Sequence, residues 1–213
     1  MNKLVFVIAL SLVCAKLPSQ NRLTKQAKFG FKLGTGLQTI TGNFIKTKPR
    51  VAFAGGFWVQ LKIAKRWNMQ AEIYNISKGT GLGLQQPKLG DYWLRMSYFE
   101  MPILFQYIKK NAFIEMGPSI AALINTGEYT TGGILPYQEE LYPFSKKDLS
   151  LNLGAGYVFS SKWSLCLRVS HSLLLVRKQL PASTRQIYNR GLVLAFNRHL
   201  NFKAHKNREA ENQ

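Results

Sequence analysis

Acidic side chains are scarce in this chain. Its 213 residues hold ten Asp and Glu against 29 Lys and Arg, a formal charge of +19. Cysteine occurs twice and histidine three times. No stretch approaches the run of about 18 or more apolar residues that a spanning helix needs. Each shortage excludes something. Two cysteines, Cys14 and Cys166, cannot build a disulfide framework. His199 and His205 have no cysteine or third histidine at metal-ligand spacing, so neither a metal nor a cofactor is expected. A helical membrane bundle is excluded. The positive charge is spread through turns, loops and the tail instead of gathering in one arm or helix, which argues against nucleic acid as a partner. Anionic lipid headgroups, or the phosphates of an outer-leaflet glycolipid, would attract such a surface equally well.

What is present is 12% aromatic residues and 17 glycines, a balance that suits an all-β protein. The first residues read as a secretory signal peptide. Asn2 and Lys3 make a short basic start, Leu4 to Val13 an apolar core, and Val13-Cys14-Ala15 a small-residue cleavage site. Cleavage is expected after Ala15, with positions up to about 20 also acceptable. Removing Lys3 leaves 28 basic and 10 acidic residues, net +18. Val13 stands where a lipidated cysteine wants a small neighbour, so Cys14 is not expected to carry lipid. Cys166 is then alone in the mature chain and reads as a small buried or half-buried side chain.

From Ala27 the apolar residues recur with period two, the signature of strands with one apolar face. Phe29, Phe31, Leu33 and Leu37 alternate with Lys28, Gly30, Lys32 and Gly34. Val51, Phe53, Phe57, Val59, Leu61 and Ile63 form a second row, and Trp67, Met69, Ala71 and Ile73 a third. Phe99, Met101, Ile103, Phe105 and Tyr107 oppose Glu100, Pro102, Leu104 and Gln106. Past a doubly basic turn at Lys109–Lys110, Ile114, Met116, Ile120 and Ala122 oppose Phe113, Glu115, Gly117, Ser119 and Ala121. Three further rows follow, from Leu149 to Phe159, from Trp163 to Leu173, and from Tyr188 to Phe196. Pro102 and Pro118 each remove a ladder donor, so a bulge or kink is expected at one or both. The segments 42–50, 77–94 and 125–147 read as loops, the last two as long ones.

Eight strands result, each near the 9–11 residues of a tilted spanning strand. Minimal turns at 64–66, 109–111 and 160–162 alternate with longer loops. An even strand number with short turns on one side and long loops on the other predicts an eight-stranded, antiparallel, up-and-down transmembrane β-barrel. The expected organisation is a signal peptide at 1–15, a barrel over 27–202 and a polar tail at 203–213. Trp67, Tyr107, Phe159 and Trp163 fall beside the short turns on the apolar face, as an interfacial aromatic girdle would. Closure is required because hydrocarbon leaves no partner for a sheet edge. The alternation then turns Lys28, Lys32, Lys62, Glu72, Glu100, Glu115 and Arg168 inward. These four cations and three anions are expected to form an internal ionic network, with Arg168 and Lys62 as the partners of Glu100 and Glu115. A barrel this narrow is filled by its own side chains, so no pore is expected.

The segments YFEMPILFQY (98–107), FIEMGPSIAAL (113–123) and LNLGAGYVFSSKWSLCLRVSHSLL (151–174) resemble, in order and spacing, the PorT-like outer-membrane β-barrel family. That family pairs a tyr-x-glu-x-pro-leu-leu strand with an aromatic-x-glu-x-gly-pro strand. The chain has Arg168-Val169 where the family usually has arg-tyr. The resemblance implies an outer-membrane barrel. Some members are implicated in protein secretion and gliding machinery.

Ser170-His171-Ser172 invites comparison with barrels that deacylate lipid. Adjacent strand residues point to opposite faces, however, which keeps this imidazole from either hydroxyl. The glycine-rich run from Gly79 to Gly83 lacks a following helix and reads as loop, not as a phosphate cradle. The expected function is therefore that of a non-enzymatic barrel in the outer membrane. It would contact outer-membrane lipid and act as a scaffold or partner in an envelope or secretion assembly, or bind surfaces through the loops 77–94 and 125–147. The alternatives are a lipid-modifying barrel enzyme and a soluble secreted barrel around a hydrophobic ligand. The last would need its apolar rows inside and Glu72, Glu100 and Glu115 outside.

Overall fold

The structure, a computed structural model, describes residues 27–42, 48–81, 92–130, 133–134, 143–177 and 186–200. The proposed signal peptide, with Cys14, and the tail, with His205, lie outside them. Eight long strands form the wall: β1 (Ala27–Gly42), β2 (Arg50–Lys62), β3 (Trp67–Thr80), β4 (Tyr92–Lys109), β5 (Ala112–Thr130), β7 (Lys147–Ser160), β8 (Trp163–Ser172) and β9 (Ile187–Leu200). A two-residue β6 (Gly133–Ile134) pairs back onto β5. Every neighbouring pair in the wall is antiparallel, and β1 pairs with β9 to close the ring. This is a closed eight-stranded meander, with no free edge around the wall.

The wall is inside-out relative to a water-soluble protein. Leu33, Phe57, Ile103, Met116, Leu153 and Leu194 are exposed, whereas Lys32, Gln60, Glu72, Glu100, Glu115 and Arg168 are buried. The apolar rows therefore face outward and the carboxylates inward, which overturns the alternative of a soluble barrel with a greasy interior. In a bilayer those outward side chains meet acyl tails, and the closed ring pairs each strand's backbone with its neighbours.

Two expectations are corrected. The register runs straight past both prolines. Tyr74 pairs with Glu100 and Ala71 with Ile103 at one offset, and Pro102↔Ser119 keeps the same offset as Phe105↔Met116. Register shifts lie instead at Val158/Ser160 and at Ser97/Tyr98, where Ser97 pairs with Asn125 and Tyr98 with Leu123, leaving Ile124 as the extra residue. A proline inside a closed wall deletes one ladder bond, and the rows on both faces hold the register. The loops are also shorter than expected. Ser77–Thr80, Tyr92–Leu94 and Asn125–Thr130 are strand, because each is paired with an equally long neighbour: Thr80 with Leu94, and Tyr92 with Thr130. Gly79 is accommodated there at φ 132°, a conformation other residues rarely adopt. At the other end the turns are minimal. Lys110, at φ 56°, and Asn111 link β4 to β5.

Candidate functional site: the lumen and its two ends

Even-numbered residues of β1, β2, β3, β7 and β8 point into the barrel, as do odd-numbered residues of β9. Each strand thereby adds a few polar groups to a lumen that water hardly reaches. Midway, Lys32 Nζ lies 2.7 Å from both carboxylate oxygens of Glu72. Arg168 donates through Nη1 to Glu72 Oε2 at 2.8 Å and through Nε to Glu115 Oε1 at 2.7 Å. Gln106 donates to Glu115 Oε2 at 2.9 Å, and Gln70 to Glu72 Oε1 at 2.6 Å. Two cations thus balance two anions drawn from four strands, and the carboxylate oxygens are all hydrogen-bonded. Such satisfaction is what a buried ionic group needs. Cys166 packs on the same cluster, with its thiol 3.2 Å from Glu115 Oε1.

Glu100 does not join that tetrad. It lies one layer nearer the long loops, where Lys78 Nζ sits 2.8 Å from Glu100 Oε2 and 3.0 Å from Asp148 Oδ2. Ser119 donates to Glu100 at 2.7 Å, and Ser172 hydrogen-bonds Asp148. Arg168 therefore partners Glu72 and Glu115, and Lys78 partners Glu100. Lys28 and Lys62 are exposed at the short-turn mouth and are in no ion pair among the described residues. The reason is depth: every described carboxylate lies higher in the lumen than these two strand ends. Lys78 and Asp148 were legible by carrying the even-residue parity of β3 and β7 a few positions further. Glu128, paired with Arg177, was not. The bulge at Ile124 shifts the parity of β5, so that an even-numbered residue turns inward.

Toward the other end Ile40, Ile76, Leu94, Met96, Tyr98, Phe144 and Val176 pack together as a plug, beside the Glu128–Arg177 ion pair. Among the described residues, ion pairs and this apolar packing leave no continuous aqueous path. Purified protein reconstituted in planar bilayers is expected to give no stable porin-like conductance step.

At the short-turn end the lumen opens into a pocket of about 270 Å³. Its floor is an amide ladder in which Gln60 donates to Gln106 at 2.6 Å and Gln106 to Gln70 at 3.1 Å. Trp58 and Phe113 line it and lie flat against the wall, over Gly30 and Gly156 of the adjacent strands. A Cβ at either glycine would come within 2.3 Å and 2.2 Å of those rings. His199 belongs to β9. Its Nε2 lies 3.2 Å from Ser164 Oγ, and its ring meets Trp58 edge-on at 4.8 Å. No carboxylate among the described residues contacts it, so the pair lacks the orienting acid of a hydrolytic triad. Ser172 points inward while His171 is exposed, placing that sequence motif on two faces. Outside the wall, Trp67 and Phe159 are exposed beside the turns. Tyr107 meets Trp67 at 5.2 Å, and the Arg198 guanidinium lies 4.6 Å above the Trp163 ring.

Comparison with known proteins agrees with this architecture. Neisserial surface protein A has a similar fold, with a TM-score of 0.53 at 8% identity, over 81% of this chain and 97% of that one. Ail, the attachment invasion locus protein of Yersinia pestis, gives a TM-score of 0.49 at 8% identity, over 82% of this chain and 99% of that one. No curated protein matches the sequence. The family model for the outer membrane protein beta-barrel domain matches residues 18–174, most of the chain. With the closed wall, the outward apolar rows and this match together, the chain belongs to the outer membrane protein β-barrel domain family and resides in the outer membrane.

Proposed function

We propose that this protein is a non-enzymatic outer-membrane barrel serving as a scaffold or partner in an envelope assembly, delivered across the inner membrane by a signal peptide at 1–15. The filled lumen carries this reading. Among the described residues, mutually satisfied ions fill the middle of the lumen, and apolar side chains with the Glu128–Arg177 pair fill its outer half, which favours contacts at the barrel's ends over transport. The PorT-like resemblance of 98–107, 113–123 and 151–174 favours a secretion-type assembly over simple surface adhesion. On the outer side such contacts would come from the segments joining β3 to β4 and β5 to β7.

In-cell crosslinking followed by purification of the detergent-solubilised barrel is expected to retain envelope proteins. Replacing residues 82–91 and 131–142 by short Gly-Ser links should release those held from outside. Recovery of the barrel alone, from both forms, would reject the proposal. Lipid A from a deletion strain is expected to keep its acylation pattern. A changed pattern would instead favour the lipid-modifying enzyme.

A further inference from the structure

All five carboxylate side chains among the described residues, Glu72, Glu100, Glu115, Glu128 and Asp148, are buried in the lumen. The exposed charge of the described barrel is therefore entirely positive. The short-turn end shows this most clearly. Lys62, Lys65, Arg66, Lys109, Lys110 and Lys162 lie at or beside the three turns, and Lys28 and Arg198 on the adjoining strand ends. Short turns of outer-membrane barrels face the periplasm, so this basic rim surrounds the mouth of the 270 Å³ pocket on its periplasmic side.

Inside that mouth one group lacks a partner. Asn197 lines the pocket and is only 5% exposed. Its Nδ2 reaches Ser164 Oγ at 3.4 Å, but its Oδ1 has no hydrogen-bond partner. A buried acceptor without a donor costs stability, on the order of 1–3 kcal/mol. Beside it are the Lys28 ammonium, which is in no ion pair among the described residues, and the hydroxyls of Ser161 and Ser164. The pocket thus offers a cation and an unpartnered acceptor on one lining, against apolar walls from Trp58, Ile108, Phe113 and Val158.

From this arrangement we infer that the periplasmic mouth is a docking site for the carboxylate-terminated end of an acidic peptide. The terminal carboxylate would meet Lys28, a backbone N–H near the end would donate to Asn197 Oδ1, and acidic residues upstream would lie across the basic rim. A phospholipid headgroup sits outside the wall and cannot enter the lumen. A free sulfate or chloride would satisfy Lys28 but carries no donor for Asn197 Oδ1. An acidic sugar would need a ring face to stack on, and the Trp58 ring is occupied edge-on by His199 while its N–H donates to the Phe31 carbonyl. The inference rests on the reading of the barrel as an assembly partner and names the chemistry of a contact on the periplasmic side.

The test uses the full barrel in zwitterionic nanodiscs and a fluorescein-labelled peptide, Glu-Asp-Glu-Glu-Ala-Leu, with a free C-terminus. Anisotropy should show binding that weakens steeply between 50 and 200 mM salt, as screening of a multi-charge contact requires (roughly these concentrations bracket a Debye length of 14 to 7 Å). The C-terminal amide of the same peptide should bind about tenfold more weakly, and K28Q should lower affinity for the free acid to the amide's level (about one lost charge-assisted contact). The amide comparison needs no variant, so it stands even where K28Q folds poorly. Equal binding of acid and amide would overturn the inference, leaving rim electrostatics without a pocket. Glucuronate competing as well as the unlabelled peptide would also overturn it, in favour of an acidic-sugar site. So would no detectable binding at low salt. Those failures leave the crosslinking result untouched, whereas a barrel recovered alone from cells would remove the assembly reading itself.

Discussion

Replacing Arg168 by alanine should destabilise the barrel by about 3–5 kcal/mol, the usual cost of removing one partner from a buried ion pair. Its guanidinium bridges Glu72 and Glu115, and all three are buried. Removing it strands Glu115 with only Gln106 and the Cys166 thiol, and leaves Glu72 to Lys32 and Gln70. Urea unfolding in lipid vesicles, followed by tryptophan fluorescence, would measure the loss. The control is the quadruple variant Lys32→Met, Arg168→Met, Glu72→Gln, Glu115→Gln. It removes all four charges of the tetrad together and should recover most of the stability, since an ion cluster replaced as a unit is often near neutral. If the single variant unfolds within about 1 kcal/mol of the native chain, the tetrad does not hold the lumen together.

A comparable loss is expected on the opposite face. Leu153 points outward near the middle of β7, pairs with Met116 and Val169, and is 63% exposed. In the membrane that exposure is contact with acyl tails. Leu153→Arg should therefore cost about 2–4 kcal/mol, the penalty for arginine on the lipid face at the midplane. The same substitution at Phe159, beside the short turn, should cost at most about 1 kcal/mol, because the guanidinium can reach headgroups. Folding yields into vesicles, read by the gel shift of folded barrel, would rank the two. Equal penalties at Leu153 and Phe159 would mean that these positions do not differ in depth. No penalty at either would mean that the outward rows do not face hydrocarbon.

These two experiments probe the parts of the molecule that differ most in how far the sequence reveals them. Which side of each strand faces lipid is a local matter. It follows from whether consecutive residues alternate, and the opposition of Ile103 to Glu100, or Leu167 to Arg168, shows it without any partner in view. The strand number and the sidedness of the turns follow in the same way. Partner choice does not, because it depends on depth and stagger. Lys28 and Lys62 share a face with Glu115 but sit at the mouth, while Lys78, five residues past Ile73 at the end of the apolar row in β3, reaches Glu100 and Asp148.

The sequence by itself determined that this chain crosses a membrane with strands, and which residues face its interior along most of the wall. The reason is that the period-two contrast between hydrocarbon and lumen is written into each strand separately. Only the tertiary structure decided which ion meets which and that a bulge at Ile124 turns Glu128 inward. It also decided that His199, Ser164, Asn197 and Lys28 meet around one pocket. Those outcomes depend on the relative stagger of strands whose residues lie up to 171 positions apart (Lys28 to His199), and no local pattern records it.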